Sequence, residues 1–325
     1  MSFSEKLDSF FNNFRLNIGT APAEHLVYLY ADYVELITLF SGQNYVSTGD
    51  VIDRLTDEDI FRQPEKSENQ AAANDAQEKR IDTIFRIINE RALLFDTDYP
   101  FIVHQTNKLI IRDAETLSLR NKVYIYLLLS SSLNIFPEFQ HTLTTEFEEL
   151  CAHVLRNYLP SHAVVKSFGK RSDYTGTAKT KIKALAHDMK IRIDEDGFEE
   201  ISVKSTQEEG LDLIGWIPFA DNIANYIAIL GQCACGKDWD KKLGETSRYD
   251  NFFNFHRLNP VHSMFIPYNI ASYQKNTFTR SKDIVNRLIF ERKRILNYLD
   301  DIEFFNEFES KLLVDRCVDF MEEIV

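Results

Sequence analysis

Two short apolar segments, each interrupted by one polar residue, decide the expected fold of the central region. The first is Gly210-Leu-Asp-Leu-Ile-Gly-Trp-Ile-Pro-Phe219, and the second is Asn225-Tyr-Ile-Ala-Ile-Leu-Gly-Gln-Cys-Ala-Cys-Gly-Lys-Asp-Trp239. Segments this apolar are typical of β-strands that are buried on both faces. Asp212 and Gln232 are out of place there, because a buried carboxylate is costly unless it is paired or holds a cation.

Length and composition indicate a globular protein. The 325 residues allow two domains or one large one, and 27% charged residues with 44% hydrophobic ones argue against disorder. The N-terminus lacks a signal-peptide pattern, and the most apolar run, Val123–Leu129, is too short to span a bilayer. The four cysteines match neither a zinc-ribbon nor a disulfide pattern. We therefore expect a reduced, cytoplasmic protein with no membrane partner.

The net charge of −13 is unevenly distributed along the chain. Residues 1–150 carry 24 acidic and 13 basic residues, whereas the remainder is nearly balanced. Between Lys166 and Arg192, eight basic residues are opposed by only two acidic ones. A polar loop followed by a capped helix with lysines suits a phosphate group, and a solvated basic face is the alternative. The candidate DNA-binding residues of this segment are Lys170, Arg171, Lys179 and Lys183.

Hydrophobic periodicity predicts a mostly helical domain over residues 1–158 and a mixed domain over residues 159–325. In the first domain, Gln63–Gln77 is expected to be a mobile loop. The elements expected in the second domain are a helix at Ala178–Met189 capped by Thr175 or Thr177, a hairpin around Asp194–Gly197, strands Leu211–Ile217 and Tyr226–Ala234, a helix from Trp239, a strand Met264–Tyr268, and helices Ser281–Leu299 and Phe304–Ile324.

This order, with an aspartate in one strand and a glutamine at the end of the next, resembles the PD-(D/E)XK restriction-endonuclease-like nuclease superfamily. The most similar subtype is the Mrr-type group, in which glutamine replaces the acid of the third strand. The resemblance covers roughly residues 178–271 and rests on Gly-Leu-Asp-Leu-Ile-Gly (210–215) and Leu-Gly-Gln-Cys-Ala-Cys-Gly-Lys (230–237). It implies an αβββαβ core followed by C-terminal helices, with overall class α+β or α/β.

The resemblance also implies a metal site. Asp212 would be the anchoring ligand for Mg²⁺ (or Mn²⁺), since hard cations prefer carboxylate oxygen, and Gln232 would add a neutral carbonyl oxygen. A further acidic ligand is expected from Asp173, Glu208 or Glu209. Phosphodiester hydrolysis also needs a positive group near the phosphate. The family lysine, two residues after Gln232, is Ala234 in this chain. The replacement would be Lys237 or Lys241, of which Lys241, on the first turn of the following helix, is preferred.

Other candidate ligands and bases have simpler interpretations. Cys233 and Cys235 have the wrong spacing for a zinc pair and are expected to be small buried residues. His256 and His262 are expected to be structural, although a loop histidine could assist a leaving group. Arg287, Arg292, Lys293 and Arg294 could contact a DNA backbone, but the acidic residues among them indicate an ordinary mixed surface.

The combined expectation is a metal-dependent DNA endonuclease, acting in a prokaryotic restriction or anti-phage defence system. Its partners would be DNA and an activating sensor or an ATPase/helicase subunit, with a homo-oligomer also open. The alternative is an inert nuclease fold that binds DNA and recruits a partner through the acidic helical half. A third interpretation is a helical sensor in which residues 160–275 are only structural.

Overall fold

The computed structural model describes residues 2–61, 70–104, 108–201, 210–219, 221–255, 258–272, 275–279 and 284–322. The chain forms two units. Unit 1 consists of Met1–Gln140 together with Ile302–Val325, and unit 2 consists of His141–Asp301. The expected division at 158/159 therefore differs at two places, because the helix before residue 158 belongs to unit 2 and the C-terminal segment returns to unit 1. In the described part of the chain, no helix is both long and apolar enough to cross a membrane.

Unit 1 is mostly helical and also contains a small antiparallel sheet that the sequence did not predict. Its helices are α1 (Phe3–Phe11), α2 (Val27–Phe40), α3 (Thr48–Asp57), α4 (Gln70–Phe95), α5 (Leu119–Ser130) and, near the C-terminus, α11 (Glu309–Asp319). Its strands are β1 (Tyr45–Ser47), β2 (Phe101–His104) and β3 (Lys108–Ile111), with β3 in the centre. The expected loop 63–77 is helical from Gln70 onwards, and its preceding residues lie outside the described ones.

A charged cluster lies in the core of unit 1. The Arg91 guanidinium on α4 is completely buried, and its Nη1 lies 2.8 Å from both Asp32 Oδ1 and Glu35 Oε1 on α2. Tyr99 and Tyr124 donate their hydroxyls to Glu35. Each buried charge thus has an opposite charge or a hydrogen-bond donor beside it, as burial requires.

Unit 2 is built around a five-stranded mixed sheet. Its strands are β4 (Val164–Ser167), β6 (Leu213–Trp216), β7 (Ala228–Cys233), β9 (Val261–Phe265) and β12 (Leu288–Phe290), in the spatial order β12-β9-β7-β6-β4. Strand β6 is antiparallel to both of its neighbours, β4 and β7, whereas β9 runs parallel to β7 and β12 runs parallel to β9. The mixed α/β class and the two central strands are therefore as predicted.

Helices cover both faces of this sheet. The helix α6 (Gln140–Tyr158) packs against β6 so closely that a β-carbon on Gly215 would lie 2.6 Å from Leu159 Cδ1 and 3.4 Å from Leu155 Cδ2. On the other face, α7 (Ala178–Asp188) buries an apolar stripe against Ile214 and Leu230. Its first turn is capped by Thr177, whose hydroxyl accepts from the Thr180 amide. The cap and the inward face of α7 were both predicted.

The remaining elements of unit 2 are short. They are β5 (Arg192–Ile193), α8 (Glu195–Glu199), α9 (Tyr249–Phe252), β8 (Phe253–Asn254), β10 (Ala271–Ser272), β11 (Thr277–Phe278) and α10 (Arg292–Asn297). The hairpin expected around Asp194–Gly197 is wrong, since Asp194 caps α8 instead. The long helix expected over Ser281–Leu299 is also wrong, because Leu288–Phe290 joins the sheet before α10 begins. In unit 1, α11 is shorter than the expected helix Phe304–Ile324.

Candidate active site

Asp212 lies immediately before β6, at the end of the sheet where β7 finishes. Its Oδ2 accepts a hydrogen bond from the Cys233 amide at 2.7 Å. Its carbonyl oxygen accepts from the amides of Phe168 and Gly169 at 2.7 and 3.0 Å. The carboxylate is therefore held by the end of β7, and the main chain of Asp212 is held by the two residues that follow β4.

A second carboxylate approaches Asp212 from helix α6. A β-carbon on Gly169 would lie 2.5 Å from Glu148 Oε2 and 2.9 Å from Asp212 Oδ1, so both oxygens converge on the same small space. Glu148 also accepts a hydrogen bond from the Lys170 amide at 2.8 Å. Glycine at 169 keeps this space open, and the resulting Glu148–Asp212 pair is the centre of the candidate site.

Glu148 was not among the residues selected from the sequence, although one signal could have found it. Residues 148, 151, 152 and 155 recur at helical spacing. Cys151, Ala152 and Leu155 are all buried on α6. Glu148 lies in line with that apolar stripe and therefore points towards the sheet. Its neighbour Glu149 instead pairs with Arg171 at the surface. The run Glu146-Phe-Glu-Glu149 was easily mistaken for an ordinary solvated segment.

Gln232 lies near the end of β7, directly beyond the Leu213–Gly231 pair of the β6–β7 ladder. Its side chain is buried, with 4% of the residue exposed. Its Nε2 donates a hydrogen bond to Glu245 Oε2 at 2.6 Å. Its Oε1 is buried and has no hydrogen-bond partner among the described residues. Asp212 thus approaches Glu148, and Gln232 is bound to Glu245.

Lys237 and Lys241 were the lysines expected to supply the catalytic amine. Two other lysines, Lys170 and Lys242, act electrostatically on a thiol at this end of the sheet. Burial raises the pKa of the Cys235 thiol well above its ordinary value, and the positive charges of Lys170 and Lys242 oppose that rise. Lys241 forms an exposed ion pair with Asp238 at 3.3 Å, and Lys237 is exposed. The position after Gln232 that carries the family lysine is Ala234, which is 2% exposed. Lys170, whose main-chain amide bonds Glu148, and Lys242 therefore join Lys237 and Lys241 as candidates for the missing amine.

Three thiols line the same region. Cys151 and Cys233 are hydrogen-bonded to each other, and burial raises the pKa of both thiols. The nearby negative charges of Glu148 and Asp212 act in the same direction. These thiols are consequently protonated at neutral pH, and a protonated thiol is a poor metal ligand. Cys235 is buried as expected, whereas Cys233 is partly exposed.

The basic segment contains side chains that already have partners. Arg171 pairs with Glu149, and Lys179 pairs with Glu199 at 3.1 Å. The ammonium groups of Lys179 and Lys183 also lie 5.2 and 5.0 Å from the centre of the Phe198 ring. The Lys170 ammonium donates to Thr144.

The other expected acids and histidines have structural positions or lie outside the described residues. Asp173 closes the loop after β4, where its Oδ2 accepts from the Ser167 amide at 2.9 Å. His262 is buried between Thr246 and Asp250, as a structural histidine would be. Glu208, Glu209 and His256 lie outside the described residues.

The oxygen atoms at this end of the sheet suit a hard cation. They come from the carboxylates of Glu148 and Asp212, and Mg²⁺ prefers such ligands to sulfur or nitrogen. Within the described ranges, no three side chains of the His, Cys, Asp and Glu types are grouped as a metal-binding set. The donors that the fold brings together are therefore the two carboxylates, whereas the expected third ligand, Gln232, contacts Glu245 instead.

Comparisons with models of known protein families, with curated proteins and with solved structures find no match to this chain.

Proposed function

We propose that this chain is a Mg²⁺-dependent (or Mn²⁺-dependent) endonuclease that hydrolyses DNA phosphodiester bonds. The observation that carries the proposal is the convergence of the Glu148 and Asp212 carboxylates on the space left by Gly169. Two carboxylates so close together repel each other, and a divalent cation offsets that repulsion. The proposal extends to a prokaryotic restriction or anti-phage defence setting and to an activating sensor or ATPase/helicase partner, both of which follow from the family resemblance alone.

The topology of unit 2 also supports a nuclease. In the superfamily that the sequence resembles, a helix precedes three antiparallel strands, and a later strand runs parallel to the third. Helix α6, strands β4, β6 and β7, and strand β9 occur in that order and orientation, with α7 inserted between β4 and β6. The core would then begin at α6, earlier than the expected start at Ala178. Its helical glutamate, Glu148, would take the place of the acid that was sought in Asp173, Glu208 or Glu209.

The side chains would divide the chemistry as follows. Glu148 and Asp212 would hold the cation, which when bound supplies positive charge at the scissile phosphate and lowers the pKa of a water molecule. Lys242 or Lys170 would stabilise the negative charge that develops on the phosphate oxygens. Water attacks phosphorus and releases a proton to solvent, the bond to the leaving oxygen breaks, and that oxygen takes up a proton from solvent.

DNA would approach along the basic segment. The ion pairs of Arg171 and Lys179 lie at the surface, where such pairs contribute only about 0–1 kcal/mol. Exchanging their carboxylate partners for phosphates therefore costs little. Each phosphate neutralised releases counterions, so binding should weaken steeply as salt concentration rises.

The test is plasmid cleavage with Mg²⁺ by the wild type, Asp212→Asn and Glu148→Gln. Glu149→Gln is a matched control, since it changes the adjacent glutamate that pairs with Arg171. We expect both site variants to lose about 100-fold or more in cleavage rate, corresponding to at least about 2.7 kcal/mol, and the control to cut normally. Lys242→Ala and Lys170→Ala should be slower than Lys241→Ala and Lys237→Ala. Equal cutting by the wild type, Asp212→Asn and Glu148→Gln would rule out this site.

One observation favours a second function. Ala234 is buried at the position where the family carries its lysine, so the fold can hold DNA without cutting it. The chain would then be an inert DNA-binding adaptor that recruits a partner through its acidic helical half. Salt-sensitive DNA binding that EDTA leaves unchanged, with no cleavage by any variant, would support this alternative.

A further inference from the structure

The segment that follows β4 is attached to helix α6 at three points. The Lys170 amide donates to Glu148 Oε2 at 2.8 Å, and the ammonium of the same lysine donates to the Thr144 hydroxyl. The next residue, Arg171, pairs with Glu149. Lys170 is thus bound to α6 through both its main chain and the end of its side chain.

The Thr144 hydroxyl can make both of its contacts at the same time. It donates its own proton to the His141 carbonyl at 3.2 Å. An ammonium group has only donors, so Lys170 approaches a lone pair of the same hydroxyl oxygen. An ammonium has three N–H groups, and one of them is used here. Two N–H groups of Lys170 therefore remain for another acceptor.

The contact with Thr144 places the Lys170 ammonium close to the carboxylate pair. Thr144 and Glu148 are four residues apart on α6, so they share a face of the helix, with about 5–6 Å between their β-carbons. Gly169, directly before Lys170, adjoins both Glu148 and Asp212. At this separation the amine can contact a phosphate held at the carboxylate pair while it is bonded to Thr144.

The four candidate lysines differ in how they are held. Lys241 is paired with Asp238 at 3.3 Å. The side chains of Lys237 and Lys242 have no hydrogen bond or ion pair with the described residues. Lys170 is exposed and fixed by a neutral hydroxyl, and no carboxylate of the described ranges is paired with its ammonium. A charge that is already in place stabilises a transition state without reorganisation, which favours Lys170.

We propose that Lys170 supplies the amine that contacts the scissile phosphate, and that Thr144 is a positioning residue that holds this amine one helical turn from Glu148. This inference rests on the proposed metal-dependent nuclease function. A free lysine side chain loses rotamer entropy when it is ordered. The Thr144 hydroxyl orders the side chain before the phosphate arrives, so the chemical step does not bear that cost.

The test compares Thr144→Val, Thr144→Ser, Lys170→Ala and the double variant Thr144→Val with Lys170→Ala in the full-length chain. Valine keeps the size of threonine but removes the oxygen, and serine keeps the hydroxyl. The control is Thr142→Val on the same helix, because the Thr142 side chain has no hydrogen bond with the described residues. Plasmid cleavage at saturating DNA gives the rate, and calorimetry gives Mg²⁺ affinity. The Lys170 Cε–H signals in the metal-free protein, assigned by their absence in Lys170→Ala, report the amine by NMR.

We expect cleavage to slow about 100-fold in Lys170→Ala and about 10-fold in Thr144→Val. Thr144→Ser and Thr142→Val should cut normally, and Mg²⁺ affinity should stay unchanged in Thr144→Val. The double variant should be no slower than Lys170→Ala, because Thr144 acts through the lysine. The Lys170 signals should move in Thr144→Val and not in Thr142→Val.

Several results would overturn the inference. Unmoved Lys170 signals, normal cleavage by Thr144→Val, or additive losses in the double variant would each show that Thr144 does not position the amine. If Asp212→Asn loses cleavage while Lys170→Ala cuts normally, the inference is overturned and the metal site stands. If the wild type does not cut, or Asp212→Asn cuts as the wild type does, the proposed function and the inference both fail.

Discussion

Gly169 lies where the Glu148 and Asp212 carboxylates converge, and its missing side chain leaves the space between them. Its amide donates to the carbonyl of Asp212 at 3.0 Å, so its position relative to β6 is fixed. The atoms that a side chain at 169 would meet are the ends of two carboxylates. Such ends can move more easily than main chain, so the site is more sensitive than the fold to a substitution here.

We therefore predict that Gly169→Ala separates site geometry from stability. The added β-carbon must displace Glu148 Oε2 or Asp212 Oδ1, since it would lie 2.5 and 2.9 Å from them. Mg²⁺ affinity should fall about 10-fold or more, while the free energy of unfolding should fall by no more than about 1 kcal/mol. The control is Gly236→Ala, where a β-carbon would meet nothing within 4 Å. Unchanged Mg²⁺ affinity in Gly169→Ala, measured by calorimetry, would contradict the prediction.

The sequence singled out Asp212 and Gln232, the polar residues that interrupt apolar strands. It did not single out Glu148, the acidic residue in line with the apolar stripe of helix α6. Asp212 and Gln232 stand out because a polar residue in a short buried strand is conspicuous. Glu148 does not stand out, since glutamate is common on helices and its neighbours Glu146 and Glu149 are also acidic. Only the packing of α6 against β6 shows which of the three faces Asp212.

The 3₁₀ turn Glu245–Arg248 is the element on which the Gln232 contact depends, and a buried histidine anchors it. Burial lowers the pKa of His262 below its ordinary value, with Arg287 acting in the same direction and Asp250 opposing it. Because the folded chain holds this proton less tightly than the unfolded chain, the free energy of unfolding should decrease as pH falls below about 6.5. Above that pH the contribution is fully present.

We predict that His262→Gln weakens this pH dependence. The midpoint of urea denaturation, followed by tryptophan fluorescence, should fall between pH 7.5 and pH 5.5 in the wild type and fall less in His262→Gln. The control is His187→Gln, because the His187 side chain is 80% exposed and should leave the wild-type dependence intact. His153, whose pKa burial also lowers, accounts for a residual decrease in every variant. An identical decrease in the wild type and His262→Gln would refute the prediction.

Element predictions succeeded where an apolar segment had clear ends and failed where pairing partners were distant in sequence. Strands β6 and β7 were expected within two residues of their observed limits. The Leu-Ile-Phe run of β12 was assigned to a helix, because a short apolar run has no periodicity that distinguishes strand from helix. It becomes a strand through pairing with β9, more than twenty residues earlier. Strand β4 was missed for the same reason, since its partner β6 lies beyond α7.

Each of the two units has its own core, and both tryptophans, Trp216 and Trp239, belong to unit 2. Tryptophan fluorescence therefore reports on unit 2, whereas circular dichroism reports on the helices of both. The core of unit 1 contains the fully buried Arg91 between Asp32 and Glu35. Its removal would leave two buried carboxylates without their counter-charge.

We predict that Arg91→Ala destabilises unit 1 by about 3–5 kcal/mol, the usual cost of breaking a buried ion pair from one side. Arg86→Ala, on the same helix, is the control, because its side chain is 49% exposed and its pair with Glu90 is an ordinary surface pair. That control should cost no more than about 1 kcal/mol. Denaturation followed by circular dichroism measures both effects. Equal losses in the two variants would show that the buried cluster contributes nothing beyond a surface pair.

The sequence indicated two domains divided at 158/159, whereas the two compact units divide at 140/141 and 301/302. The change in composition near Pro160 is real, yet α6 belongs with the sheet that follows it. No local pattern shows that Ile302–Val325 returns to the first unit, since that depends on contacts with residues far away in sequence, such as Asp315 with Lys122 at 2.7 Å. Boundaries of this kind are visible only in three dimensions.

The placement of α6 has a practical consequence for anyone who truncates this protein. A recombinant piece beginning at residue 159 would leave out Glu148 and Cys151 and would expose the underside of β6 that α6 covers. It would lose half of the carboxylate pair before any assay began, and a negative result would say nothing about catalysis. A piece spanning residues 141–301 retains the helix, the sheet and both acids.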